Sequence, residues 1–228
     1  MRSPRRVVAG LLLLACWFAE ASTLTAQETS EPPPQENDTL LDAFPSSDVV
    51  PRTQPGIKPM SPREKWALGT EESFAPLAFL ALGANAGYGQ IENRYPSFGQ
   101  GVEGYGRRYG AAFGDHAVSD YLTASVFPVL FREDPRYFRS GHGAFFRRLA
   151  YSVGRIAITR TDAGTNRTNV SEFLGNAVAA GISNTYLPSP DRGVANTAHR
   201  FGLFLASDAL NNVLKEFWPD VRRKLFHR

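Results

Sequence analysis

Apolar positions along most of this chain recur at helical spacing, and the strict two-residue alternation of a half-buried strand is almost absent. Start and stop signals bracket the pattern. Ser61-Pro62-Arg63-Glu64 is a capping box with proline at the first helical position. Asp134-Pro135 offers a second start and Asn169-Val170-Ser171-Glu172 a third. Pro188-Ser189-Pro190 stops a helix, Asp162 to Asn166 is a turn, and Trp218-Pro219-Asp220 breaks the last long segment. These signals predict helices near 62–68, 73–90, 103–127, 135–159, 170–186, 196–217 and 219–226. Val153 to Thr159 is the best strand candidate, and it is assigned to helix. The expected fold is an all-α, compact bundle of about five to seven helices.

Small residues recur every four positions inside these segments: Gly83 with Gly87, then Gly106, Gly110 and Gly114, then Ala177 with Gly181. A glycine inside a helix costs about 0.5–1 kcal/mol relative to alanine, so close backbone contact between helices is expected to compensate. A bulky side chain at Gly110 would then wedge two helices apart. Tyr105, Tyr109 and Phe113 form an aromatic ridge beside that groove. Phe74–Ile91 and Phe173–Pro190 carry no Asp, Glu, Lys or Arg. Asn85, Gln90, Asn176 and Asn184 interrupt them, and Leu, Ile and Val are sparse, so bundle helices are expected there in preference to membrane spans.

The first residues change this picture. Arg2, Arg5 and Arg6 precede an apolar run from Val7 to Ala15, as in a secretory signal peptide. Leu13-Leu14-Ala15-Cys16 resembles a bacterial lipobox, in which Cys16 would be lipidated; Leu14 and Trp17 fit it poorly. Residues from about 27 to 57 are rich in proline and acids and too poor in apolar groups to offset their ordering entropy. The expected organisation is a signal peptide over 1–26, a disordered linker over 27–57 and a helical domain over 58–228. The protein is then exported, to the periplasm or the outer membrane surface.

Of the 25 basic residues four precede Lys58, and of the 22 acidic residues seven do, so the domain is positive and the linker negative. The positive charge is mostly arginine. Arg136, Arg139, Arg147, Arg148 and Arg155 interleave with Tyr137, Phe138, Phe145, Phe146 and Tyr151. Guanidinium groups flanking an aromatic face suit an anionic lipid surface or an envelope partner protein. Nucleic acid suits the charge but not the compartment. A single cysteine and four histidines leave little for a metal centre, and no cofactor motif is present. Asp115 with His116, and His142 in Ser140-Gly141-His142-Gly143, are the candidate catalytic groups, without a nucleophile elbow to accompany them.

Asp134-Pro135-Arg136-Tyr137-Phe138 followed by Gly181-Ile182-Ser183-Asn184-Thr185-Tyr186 resembles an uncharacterised family of secreted proteins from acidobacteria and related soil bacteria. The resemblance covers roughly Ser97 to Phe226. It implies an envelope location and no assigned activity. Some members carry a carboxypeptidase-regulatory-like β-sandwich ahead of this region, where this chain has only its proline-rich linker. The leading expectation is a non-enzymatic envelope protein with an arginine–aromatic contact face. The rival is an envelope hydrolase or lipid-modifying enzyme using Asp115, His116 and His142.

Overall fold

The computed structural model describes residues 48–54 and 56–226; the expected signal peptide, Cys16 and most of the expected linker lie outside them. The helices are α1 (Pro62–Ser73), α2 (Pro76–Ile91), α3 (Gly101–Asp120), α4 (Phe127–Phe131), α5 (Phe145–Gly154), α6 (Val170–Ile182) and α7 (Val194–Phe226). The strands are β1 (Val49–Pro51), β2 (Glu133–Asp134), β3 (Tyr137–Arg139), β4 (Ile158–Thr161) and β5 (Asn166–Thr168). The protein is mostly helical, as its periodicity implies.

Local chemistry sets the helix starts. Ser61 Oγ accepts from the Glu64 amide at 3.3 Å while the Glu64 carboxylate accepts from the Ser61 amide at 2.7 Å. Asn169 Oδ1 accepts from the Glu172 amide at 3.1 Å. The start of α6 has a second acceptor from elsewhere in the chain: the Glu133 carboxylate takes the amides of Val170 (3.3 Å) and Ser171 (3.0 Å). An anion at these unpaired N–H groups is favoured by the helix dipole.

Between α3 and α4 the chain widens into a π turn over Tyr121–Val126. Two helical glycines approach it tightly. A Cβ on Gly69 of α1 would lie 2.2 Å from Ser125 Oγ, and one on Gly175 of α6 would lie 2.7 Å from Thr123 Cγ2. The glycines singled out by spacing behave differently. Gly83 meets the Tyr105 hydroxyl and Gly114 meets Tyr186, both at side-chain distance, but Gly87, Gly106, Gly110 and Gly181 have nothing within 4 Å of a Cβ position. Four-residue spacing identifies one side of a helix without saying which side is covered.

Three boundaries depart from expectation. The segment 135–159 is not one helix: β3, a loop with Gly141 and Gly143 at positive φ, α5 and β4 replace it. The strand candidate at 153–159 is met only at its end, in β4. Pro219 does not separate two helices but sits inside α7. It removes the amide that would donate to the Lys215 carbonyl, and the adjacent Glu216 carbonyl accepts from Arg139 Nε (2.8 Å) and Arg148 Nη2 (2.7 Å). Third, the expected linker is folded at its end. β1 pairs in parallel with β3, Val49 opposite Tyr137 and Pro51 opposite Arg139, and the side chain of Asp48 is fully buried. A small antiparallel sheet in the order β2-β4-β5 completes the fold.

Among the described residues the interior is polar. Sixteen polar or charged residues are buried, whereas only five apolar side chains larger than proline are: Leu68, Tyr137, Phe138, Ile156 and Leu187.

Candidate functional site

The arginine–aromatic segment divides into an inward and an outward half. On α5, Arg148 and Ser152 point inward one turn apart, while Phe145, Phe146 and Arg147 face out. Arg148 Nε donates to Glu216 Oε1 at 2.7 Å, Nη1 to Asp220 Oδ2 at 2.5 Å, and Nη2 to the Glu216 carbonyl. The Glu216 carboxylate, at 0 % exposure, also accepts from the Tyr137 hydroxyl and from the amides of Ser140 and Gly141, each at 2.9 Å. One buried carboxylate on α7 thereby fixes β3, the following loop and α5. Burial, and then Glu216 beside it, push the Tyr137 phenol well above its usual range.

Two other candidate arginines, Arg139 and Arg136, are also held by carboxylates. Arg139 pairs with Asp220 at 3.1 Å. Arg136 forks onto Asp134 at 2.9 and 2.6 Å and reaches the Lys58 carbonyl at 2.8 Å. Arg155 is half-buried, and burial lowers its guanidinium from the ordinary value. Of the five, Arg147 alone is exposed. The outward group is therefore narrower than the sequence implies: Phe145 (57 % exposed), Phe146 (79 %) and Arg147. The Phe145 ring lies 5.1 Å from that of Phe217, which brings this group beside the basic end of α7 at Arg222, Arg223 and Lys224.

The candidate catalytic groups do not converge. Asp115 accepts from Ser183 Oγ at 2.5 Å and from the Tyr186 hydroxyl. His116, the next residue on α3, turns away and lies 3.3 Å from Asp120 through Nε2. His142 is exposed, its Nδ1 2.9 Å from the Ser140 carbonyl in its own loop. Burial raises Asp115 and Asp120 and lowers His116, which disfavours charge on all three. A small cavity of about 120 Å³ beside Asp134, Arg160 and Asp162, and one of about 40 Å³ at Glu133, Ser171 and Glu172, touch none of these groups. Among the described residues no group of three or more His, Cys, Asp or Glu is arranged to hold a metal ion.

A second polar network lies in the interior and was missed by motif reading. Ser119 Oγ donates to Asn176 Oδ1 at 2.6 Å, and Asn176 Nδ2 donates to Asp208 Oδ2 at 2.8 Å and Glu172 Oε1 at 3.3 Å. Lys215 pairs with Glu72 at 3.0 Å and with Asp48. The signal was isolation: Glu172 and Asp208 are single acids in otherwise uncharged helical runs.

Burial raises the Asp48 carboxyl to about 6 against the opposing pull of Lys215, with Glu72 adding to the rise. A carboxyl raised on folding binds protons more tightly in the native state. Its stabilising share is full below 3.8 and is lost as pH rises through about 6. The span corresponds to at most about 3 kcal/mol. Asp120, Glu172 and Asp208 shift in the same direction, and His116 opposes them. The melting temperature is expected to fall between pH 5 and pH 8, and Asp48→Asn to flatten that fall. A thermal scan at both pH values checks it.

No family model, curated protein or solved structure matches this chain.

Proposed function

We propose that this is an exported, non-enzymatic envelope protein whose domain binds anionic lipid headgroups through Phe145, Phe146, Arg147 and the basic end of α7. The observation that carries this reading is the pair of adjacent phenylalanines, exposed at the first turn of α5 beside cationic side chains. Two large rings held in water forfeit transfer free energy that an interface returns. Each basic residue at an anionic surface adds roughly 1 kcal/mol, screened within a Debye length. Export is supported by the basic leader and its apolar run, with lipidation at Cys16 as one anchor and the acidobacterial envelope family as the context. Asp115, His116 and His142 each engage a different partner, Ser183, Asp120 and the Ser140 carbonyl, so the hydrolase reading has no shared site in its favour.

Co-sedimentation of the full chain with phosphatidylcholine vesicles, with and without phosphatidylglycerol, tests the reading. Binding is expected only with the anionic lipid and to weaken at high salt. Arg147→Glu with Lys224→Glu is expected to weaken it by roughly two powers of ten, without loss of fold. Equal binding to both vesicle types, or none, would sink the proposal and favour a protein partner for the same patch.

A further inference from the structure

The polarity of the fold is inverted on several helices at once. On α6 the exposed residues are Phe173, Leu174, Ala177, Val178, Gly181 and Ile182, while Ser171, Asn176 and the following Ser183 are buried. Helix α2 has no charged residue and exposes Phe79 and Leu80. Over residues 194–214 of α7 no exposed position carries Asp, Glu, Lys or Arg; Leu203 and Leu210 face out, and the Arg200 and Asp208 side chains are engaged inside. From 109 to 130 the exposed residues are Gly110 and Leu130, and Asp115 and Asp120 are turned in. Exposed charges gather beyond these runs: Glu92, Arg94, Glu103 and Arg107 around the turn joining α2 to α3, Arg192 before α7, and Arg222 to Lys224 at its end.

Water selects the opposite arrangement. A monomer in water buries its large apolar side chains and rarely shows extended apolar patches. Here twenty large hydrophobic residues are exposed among the described ones, against five buried. Gly87, Gly110, Gly181 and Gly202 have nothing within 4 Å of a Cβ position, a cost in water that no contact among the described residues offsets. One protein partner covers one face and leaves an ordinary apolar core beneath it. Among the described residues the uncharged faces are spread over four helices, and sixteen polar or charged residues, many ion-paired or hydrogen-bonded, are buried beneath them. Hydrocarbon fits that pattern: it accepts apolar exteriors and requires polar groups to be satisfied internally.

Resting on the lipid-binding reading above, we propose that the uncharged faces of α2, α3, α6 and α7 lie in the hydrocarbon layer of the membrane, as an embedded module that does not span it. Charge complementarity fixes the orientation. The Phe145–Phe146–Arg147 group and Arg222 to Lys224 border this belt at the end of α7 and meet the anionic headgroups. Embedding, not crossing, follows because α2 and α6 are too short and the 33-residue α7 is not apolar enough. Helix α2 has 16 residues and α6 has 13, so they extend about 24 and 20 Å against a core of about 30 Å. No helix among the described residues is long and apolar enough to cross a membrane.

The test uses spin labels on the full chain in a Cys16→Ser background, so that no lipid anchor contributes, with vesicles of equal parts phosphatidylcholine and phosphatidylglycerol. Labels are placed by Val178→Cys on the outer face of α6 and by Glu92→Cys in the α2–α3 turn. With the protein bound, the label at 178 is expected to be readily relaxed by oxygen and shielded from an aqueous nickel chelate, and the label at 92 to show the reverse. Leu174→Lys with Val178→Lys, both at exposed positions, is expected to reduce carbonate-resistant membrane retention roughly tenfold or more while helicity is kept. Salt-sensitive binding with the label at 178 open to nickel would overturn embedding and leave the surface reading standing. Absence of vesicle binding would overturn both. A label at 178 shielded from oxygen and nickel alike, with spin–spin broadening, would overturn embedding in favour of a second copy of the chain on this face.

Discussion

Arg148→Ala is expected to lower the stability of the domain by about 3–5 kcal/mol, the usual range when one partner of a buried ion pair is removed. The buried Glu216 carboxylate would lose its charged donor, and the Glu216 carbonyl and Asp220 would each lose a guanidinium bond. Burial alone would raise the Asp220 carboxyl, but bonds from Arg148 and Arg223 hold it below its ordinary range, so part of that stabilisation goes too. Domains of this size are stable by roughly 5–15 kcal/mol, so the variant is expected to be marginal. Arg148→Lys is expected to rescue little, since an ammonium cannot supply three directed bonds in one plane. Arg147→Ala, one residue away and exposed, is expected to stay within about 0.5 kcal/mol of the parent. Denaturant midpoints for the three variants separate them. Equal midpoints for the alanine variants at 147 and 148 would mean that the Glu216 network contributes nothing.

The second large effect is expected at Gly175. A leucine there would place its Cβ 2.7 Å from Thr123 Cγ2 and 3.2 Å from the Thr123 amide nitrogen. The methyl can turn, but the backbone of the π turn cannot yield without moving α6 away from it. Overpacking of this kind costs about 1–3 kcal/mol, and the leucine branch adds to it. Gly110→Ala is expected to have the opposite sign, a gain of about 0.5–1 kcal/mol, because that position faces open space in a regular helix. Melting temperatures that move in opposite directions for the two substitutions meet the expectation. A loss at Gly110 would show that something outside the chain packs on it.

Several features are legible in the sequence alone. The starts of α1 and α6 are written in Ser61 to Glu64 and Asn169 to Glu172, because a cap is made by residues within one turn of each other. The uncharged stretches at 74–91 and 173–190 were legible as well, since lack of charge is a property of composition. What composition could not supply was direction. Arg147 and Arg148 are chemically equivalent neighbours. One faces solvent and the other is buried because Glu216, sixty-eight residues later, waits on a single side of α5. Gly110 and Gly175 likewise look interchangeable in a helix, and only the path of Thr123 past α6 makes one of them indispensable.

The same reason explains the broken segment at 135–159. Asp134-Pro135 is a sound local helix start, but Asp134 takes Arg136 as its partner and pairs in β2 with Arg160 of β4, contacts that no local pattern announces. Direction was hidden for the acids of these helices as well: Asp115, Asp120, Glu172 and Asp208 are turned inward by partners on other helices. The sequence by itself determined that this is a mostly helical domain, where α1 and α6 begin and which stretches lack charge, since those properties depend on neighbours along the chain. Only the tertiary structure decided which face of each helix is inside, because a side chain's burial is set by partners distant in sequence that helical periodicity cannot locate.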